Sequence, residues 1–438
     1  MLRTHTCGEL RKSDDKKTVS LCGWVQSRRD HGNVIFIDLR DRYGMTQIVF
    51  DPVTSAEAHK KAETLGREWV LRAEGTVRYR GKGLENPKIA TGDIEVVIKH
   101  LTVINEALTP PITIDNDIVA GEETRLKYRY LDLRRPVMQQ RLVLRHKLAM
   151  AARNYLSSQN FIEIETPLLI KPTPEGARDY VVPSRVNPGR FYALPQSPQL
   201  YKQILMVAGL DRYFQLAKCL RDEDLRADRQ PEFTQIDLEM SFCTPEDIYT
   251  LVEGIMTALW KEAGQPITTP FQRLTYKDSM NTYGTDKPAL RFELPITDVT
   301  EIAKTSGFSV FTNAITNNGV VKCLRVPKGG SFTRTEIEQL TEVAKTHHSK
   351  GLAWAKVANN TLESSITKYL TPDVQTKLIT TTHATNGDIL LFVAESWKIA
   401  CTALGQVRLA IAEQQKLSKQ GTWKFAWITD FPLFSWNE

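Results

Sequence analysis

Arg221 and Phe233 flank a charged run in CLRDEDLRADRQPEFTQIDLE, residues 219 to 239. A guanidinium held on a rigid element can grip a phosphate in a fixed fork. An aromatic ring beside it can lie flat on a base. A little further on, Asp237 and Glu239 stand two apart. On a strand that spacing puts both carboxylates on one face. Two hard oxygen ligands there suit Mg2+ bridging phosphates. The plain alternative is an ordinary solvated strand face.

These side chains need two elements to hold them. YFQLAKCL precedes the run and FTQIDLEMSF follows it, so the pattern predicts two antiparallel strands joined by a long polar connection, Asp222 to Arg229. Arg221 closes the first strand and Phe233 opens the second. In the second, Phe233, Ile236 and Leu238 are apolar among Thr234, Gln235, Asp237 and Glu239. A bland solvated charge run on a hairpin has the same composition.

At 438 residues the chain is long enough for two or three domains. Hydrophobic residues make up 41% and charged residues 25%, a globular balance, and the net charge of +6 permits a polyanionic partner without requiring one. The six cysteines, at 7, 22, 219, 243, 323 and 401, form no Cys-x-x-Cys pair, which argues against a structural zinc site. Free thiols and the absence of an apolar leader or a run of ~20 apolar residues predict a cytoplasmic protein with no membrane partner.

Residues 1–105 predict a small β-barrel. Strand-like runs fall at TVSLCGWV, NVIFIDLR, MTQIVF, WVLRAEGTVR and DIEVVIKHLTVI, with a helical SAEAHKKAETLG between the third and fourth. That order describes an OB-fold, whose open face commonly holds single-stranded nucleic acid. Arg28, Arg29, Phe36 and Gln47 lie on or near the first three strands and suit phosphate contact and base stacking. Taken alone, Phe36 reads as core. Residues 106–125 are rich in proline and acid and read as a linker. A basic amphipathic helix follows from Pro136, then FIEIETPLLI alternates like a strand up to Pro167. The stretch 171–203 carries the glycines and prolines of a shaped loop. From about 290 to 410 helices and strands alternate, and WKFAWITDFPLF reads as a returning strand.

The order Arg-x-Glu, charged loop, Arg-x-x-x-Phe resembles motif 2 of the class II aminoacyl-tRNA synthetases. TPEGARDY followed by LPQSPQLYK resembles the amino-acid pocket of the bacterial-type aspartyl-tRNA synthetase family, and in that register the resemblance runs over essentially the whole chain. It implies an α+β multidomain architecture. An OB-fold anticodon-binding barrel (1–105) and a linker (106–125) lead to an antiparallel-sheet catalytic domain (126–288). An α/β insertion of the GAD type (289–415) and a return strand (416–438) follow. The helix from Pro136 and its strand match motif 1, which implies a homodimer.

The activity implied is ATP-dependent joining of L-aspartate to tRNA. The substrate carboxylate attacks the α-phosphorus, so catalysis is positioning and charge stabilisation. Arg221 matches the clamp on α-phosphate and substrate carboxylate. Asp222, Glu223 and Gln230 match nucleotide contacts, Phe233 the ring stacked on adenine, and Asp237 and Glu239 the ligands of Mg2+. Lys202 matches the cation for the aspartate side chain, Glu175 the anion for its ammonium, and Gln199 a further hydrogen bond. The loop Arg28-Arg29-Asp30-His31-Gly32-Asn33, with Gly83, resembles the relaxed-specificity members that charge tRNA(Asn) as well as tRNA(Asp). A neutral imidazole at His31 can donate or accept by choice of tautomer.

One departure stands out. The family's third motif, with its Gly-Leu-Asp-Arg sequence, and its late pocket residues have no counterpart here. The chain is therefore expected to be a fragment that does not form aspartyl-adenylate at a useful rate by itself. The alternative is a non-catalytic tRNA-binding paralogue.

Overall fold

Alternating apolar residues in the first hundred positions close into a barrel. A computed structural model describes residues 2–116, 120–173, 175–225 and 229–434. Strands β1 (Thr18–His31), β2 (Val34–Arg40), β3 (Met45–Phe50), β4 (Val70–Tyr79) and β5 (Ile94–Asn105) form a closed barrel in the order β1-β2-β3-β5-β4. Helix α1 (Ala56–Ala62) lies between β3 and β4, and the Ser55 hydroxyl caps it by accepting from the Ala58 N–H. Leu21 and Val25, Ile35, Ile37 and Leu39, and Val96 and Ile98 fill the interior. Phe36 lies between Ile35 and Ile37 and faces outward, half-exposed, so it is not core.

The first hairpin differs from expectation. His31 pairs with Val34, so Arg28, Arg29, Asp30 and His31 are strand residues and the turn is Gly32-Asn33 alone. Both turn residues have positive φ, +57° and +63°, the type I′ geometry that matches strand twist. A stiff strand therefore presents these side chains, not a loop.

The segment after the barrel is anchored by its neighbours. Trp69 Nε1 donates to the Ala107 carbonyl and Gln26 Nε2 to the Ile114 carbonyl, each at 2.9 Å, while Ile112 and Ile114 pack with Leu131. Residues 117–119 of the expected linker lie outside the described residues. Short helices α2 (Glu122–Lys127) and α3 (Arg129–Asp132) lead into α4 (Pro136–Ser158), with proline in its first turn. Leu142, Val143, Leu144 and Met150 of α4 are exposed. The expected strand FIEIETPLLI shrinks to β6 (Ile162–Glu163), parallel to the strand below. Beyond Ile164, whose N–H reaches the Phe214 carbonyl, Pro167 has no N–H to continue the ladder.

Strands β7 (Val181–Pro183) and β8 (Phe191–Ala193) form a small hairpin ahead of α5 (Gln199–Val207). Strands β9 (Arg212–Leu220) and β10 (Glu232–Met240) then pair antiparallel along their whole length, in a sheet ordered β10-β9-β6.

The chain divides into two compact units, Met1–Ser241 and Phe242–Glu438, so the division falls inside the stretch 126–288. In the second unit, α6 (Pro245–Glu262), β11 (Gln272–Thr275) and α7 (Tyr276–Tyr283) precede a five-stranded sheet. Its strands are β12 (Ile296–Asp298), β13 (Val320–Val326), β14 (Ala353–Ala358), β15 (Thr361–Glu363) and β16 (Ile389–Glu395), ordered β12-β13-β16-β14-β15 with every pair antiparallel. Helices α8 (Thr300–Ala303), α9 (Ser309–Thr316) and α11 (Pro372–Thr381) build one core, while α10 (Arg334–Thr346) and α12 (Trp397–Gln414) build the other. The returning strand β17 (Ala426–Thr429) is half-buried and pairs parallel with β11. Residues 435–438 lie outside the described residues. Among the described residues no helix is long and apolar enough to cross a membrane.

Candidate functional site

Two sites emerge, both in the unit Met1–Ser241. The first is built on the hairpin β9–β10. Cys219 pairs with Phe233, and the Arg221 N–H donates to the Pro231 carbonyl at 2.9 Å, so the strand ends hold Arg221 beside the ring. Its guanidinium carbon lies 5.2 Å from the Phe233 centroid, and Nε is buried without a hydrogen-bond partner. Arg221, Glu223, Asp224, Leu225, Arg229, Gln230, Pro231 and Phe233 line a cavity of about 310 Å³. Four of the expected nucleotide-contacting residues thus share one wall. Asp222 does not line it. Its N–H instead donates to the Arg178 carbonyl at 3.0 Å, tying this loop to the TPEGARDY segment. Residues 226–228 of the charged loop, and Pro174 of TPEGARDY, lie outside the described residues.

Strand β10 turns its polar side inward. Ile236 is 41% exposed whereas Asp237 is 7% exposed. The cause is Lys202, one turn into α5, whose ammonium lies 2.7 Å from Asp237 Oδ1 and 3.5 Å from Glu239 Oε2. A buried carboxylate is tolerable with a cation against it, so the apolar side of β10 faces out instead. The same contact corrects the metal assignment. Asp237 and Glu239 do face one way, but an ammonium already sits between them, where its charge would repel Mg2+. Among the described residues no three-group metal cluster forms. The pair does not fit the ion. One oxygen, Asp237 Oδ2, remains buried without a hydrogen-bond partner, and it suits a donor such as an ammonium group.

Glu175 is held from both sides. Thr173 Oγ1 donates to Oε1 at 3.0 Å and Ser197 Oγ to Oε2 at 2.6 Å. Its loop is latched by Gln196, which is 1% exposed. Gln196 accepts from the Ala177 N–H and donates to the Ala177 carbonyl and to Asp179. Gln199 opens α5 three residues later. Cys219 reports how these groups gather: burial first, then Asp237 and Glu175, push its thiol up to about 11 against the opposing charge of Arg221. Gln196 and Ser197 escaped sequence reasoning, although both sit in LPQSPQLYK. Nothing local tells a latch from a contact.

The second site lies on the barrel wall. Arg29, Asp30, His31, Phe36, Gln47, Arg78, Arg80, Leu84 and Glu95 line a cavity of about 560 Å³. Its polar groups are wired together. Arg29 Nη2 donates to Gln47 Oε1 at 3.1 Å, Gln47 Nε2 to Glu95 Oε2 at 2.9 Å, and Arg78 Nε to Glu95 Oε1 at 2.9 Å. Arg80 Nη2 is buried without a partner, and burial lowers the pKa of this guanidinium. Arg28 is not brought in; it ion-pairs with Asp30 at 2.6 Å and donates to the Glu63 carbonyl. Gly83 does not line the cavity either, although its neighbour Leu84 does. Arg78, Arg80 and Glu95 were missed, though Arg78 and Glu95 face each other across β4 and β5. A half-exposed ring among guanidinium, amide and carboxylate groups is equipped to stack and read bases.

Comparison with known proteins follows the same division. Residues 19–104 match the model of the OB-fold nucleic acid binding domain, and residues 121–437 that of the tRNA synthetases class II (D, K and N). A relative from Desulfatibacillum aliphaticivorans named aspartate–tRNA(Asp/Asn) ligase is 49% identical over 440 aligned residues, covering 100% of this chain and 74% of that protein. Proteins of the same name from Thermodesulfovibrio yellowstonii and Bacillus cytotoxicus are 50% and 51% identical, with the same coverage. The crystal structure of asparaginyl-tRNA synthetase from Pyrococcus horikoshii with asparaginyl-adenylate shares the fold at a TM-score of 0.56 and 20% identity, covering 94% of this chain and 97% of that one. With its family match running through both the hairpin site and the second unit, the chain belongs to the class II tRNA synthetases of the D, K and N group.

Proposed function

We propose that the chain is an aspartate–tRNA ligase that uses ATP to activate L-aspartate and transfers it to tRNA(Asp) and tRNA(Asn). The observation that carries this reading is the Lys202–Asp237 contact on the floor of the hairpin that also bears Arg221 and Phe233. Lys202 takes the side-chain carboxylate of the amino acid. Asp237 Oδ2 and Glu175 take its ammonium. An uncharged amide in place of the carboxylate leaves Lys202 short of an anion, and buried mismatches of this kind discriminate strongly.

The adenine ring stacks on Phe233, and Arg221 reaches the α-phosphate, where charge grows as the substrate carboxylate attacks. Glu223 and Gln230 hold the base and ribose from the same cavity wall. The barrel cavity takes anticodon bases, with Phe36 as the stacking platform and His31 at its edge. The relatives' names supply the (Asp/Asn) pairing, and a ring nitrogen that either donates or accepts supports it. The retention of Arg221, Lys202 and Glu175 argues against a non-catalytic paralogue.

The exposed apolar residues of α4 support a homodimer through that helix, and the free thiols of Cys7, Cys22, Cys219, Cys323 and Cys401 suit a reducing cytoplasm. The domain roles follow: anticodon barrel at 1–105, catalytic sheet from 126, and an insertion within 289–415. Charging unmodified tRNA(Asp) and tRNA(Asn) transcripts with labelled aspartate, asparagine or lysine, by a full-length protein that carries this chain together with the third motif, tests the reading. Aspartate is expected on both transcripts, and asparagine or lysine transfer at a comparable rate would overturn it.

A further inference from the structure

A cavity of about 720 Å³ lies within the unit Phe242–Glu438, and none of its lining residues belongs to either site above. Phe311 and Phe392, each 1% exposed, form its floor, and Phe308 and Ile366 stand on its walls. Ala314, Gly351, Ala353 and Ala394 line it with little side chain. A Cβ on Gly351 would meet nothing within 4 Å. The volume is that of an ordinary ligand pocket.

The wall also contains a broken ladder. Strands β14 and β16 pair from Lys356↔Ile389 to Ala353↔Phe392 and then stop, while β16 stays paired with β13 as far as Val320↔Glu395. In an antiparallel ladder the N–H and C=O of one residue point to the same side, and successive residues alternate. The Val299 N–H donates to the Val321 carbonyl, so Val321 faces away from β16 while Val320 and Lys322 face it. Val393 and Glu395 therefore face β13, and Ala394 faces the β14 side. The partner expected there is Gly351. Its N–H donates instead to Ser349 Oγ at 3.3 Å, and its carbonyl accepts from the same hydroxyl at 2.7 Å. The Lys350 N–H is diverted as well, to Glu395 Oε1 at 3.2 Å. Among the described residues, no backbone group answers Ala394 from that side.

We propose that this slot binds an extended peptide segment bearing one large apolar side chain. Its amide N–H and C=O complete the ladder at Ala394, and its side chain fills the space against Phe311 and Phe392. This is strand addition at a gap inside a sheet. A pure hydrocarbon would fill the same volume but bury the Ala394 N–H and C=O unpaired, which is unfavourable.

The test uses the protein labelled with 15N-alanine, the Ala394 resonance being identified by its loss in Ala394→Gly. Three probes are titrated: N-acetyl-leucine N-methylamide, its alanine counterpart, and toluene. The leucine probe is expected to shift the Ala394 amide saturably, with the alanine probe at least fivefold weaker and toluene weaker still. The Ala314→Leu substitution, which occupies the cavity, is expected to abolish the shift. The proposal falls if the leucine probe leaves Ala394 unmoved, if the leucine and alanine probes bind alike, or if toluene binds while the leucine probe does not. Should Ala314→Leu fail to fold, the comparison of probes on the wild-type protein decides.

Discussion

Asp237 gives one carboxylate oxygen to the ammonium of Lys202, 2.7 Å away, and keeps the other buried and bare. That bare oxygen has a consequence for substrate binding. Asp237→Asn puts an amide where an ammonium is to be received, removing a charge-assisted hydrogen bond of about 1.5–3 kcal/mol. The dissociation constant for L-aspartate, measured by calorimetry, is expected to rise roughly ten- to hundredfold, by the conversion of ~1.4 kcal/mol per decade. An unchanged constant in a folded variant would mean the pair is structural only.

Arg221 combines a fork-shaped donor with a stack on Phe233. In the full-length protein, Arg221→Ala is expected to lower kcat/KM for ATP in aspartate-dependent pyrophosphate exchange by roughly a hundredfold or more, the usual effect of removing one donor aimed at developing charge. Arg221→Lys restores charge without the planar fork, so it is expected to recover little of that loss. Full recovery by lysine would show that charge alone suffices.

His31 and Asp30 line the same cavity at the end of β1. The third anticodon base is C in tRNA(Asp) and U in tRNA(Asn). C offers an amine that Asp30 can accept from, whereas the U carbonyl needs a donor. His31→Leu removes that donor. The ratio of kcat/KM for tRNA(Asn) over tRNA(Asp) is expected to fall about tenfold, consistent with ~1–3 kcal/mol per base contact. A wild-type enzyme that refuses the tRNA(Asn) transcript ends this reading of His31.

Helix α4 exposes Leu142 at 53% and Met150 at 40%. A protein that dimerises through this face is expected to sediment as a monomer when both are changed to glutamate, with helix content preserved. Wild-type protein that is already monomeric at micromolar concentration would remove α4 as the interface.

Asp388 anchors the second unit. Burial works to raise its pKa, but hydrogen bonds from the Thr385 N–H, Arg325 Nε at 2.7 Å and the Lys328 N–H hold it below the ordinary value. A depressed carboxyl stabilises the fold above its unfolded pKa, and that contribution fades as pH falls through the lower folded value. Asp388→Asn is expected to cost about 3 kcal/mol at pH 7, because it leaves a guanidinium and two N–H groups without their anion. In urea titrations the gap between wild type and variant should narrow towards pH 3. A gap that is constant with pH would assign the loss to packing.

The barrel, its helix and the hairpin β9–β10 are legible in the sequence because each rests on short-range periodicity. Inward and outward residues alternate along a strand, and turn residues punctuate the runs. Arg221 and Phe233 are legible for a related reason, since strand pairing brings the two ends of a hairpin together whatever surrounds them. Phe36 shows why one residue cannot be read alone: its hydrophobicity by itself favours the core, while its position between the buried Ile35 and Ile37 turns it outward to the face expected to meet bases.

What the tertiary structure decided are relations between distant segments. Lys202 comes from a helix and Asp237 from a strand that follows the whole charged loop. Their contact turned the polar side of β10 inward and left no place for Mg2+ between Asp237 and Glu239. Gln196 became a latch only once Ala177 folded back onto it. The unanswered backbone of Ala394 appears only after Gly351 has turned onto Ser349. Periodicity sets which way a side chain points along its own strand, but charge pairing and ladder completion are satisfied across the fold, where the partner is chosen by packing and not by spacing in the chain.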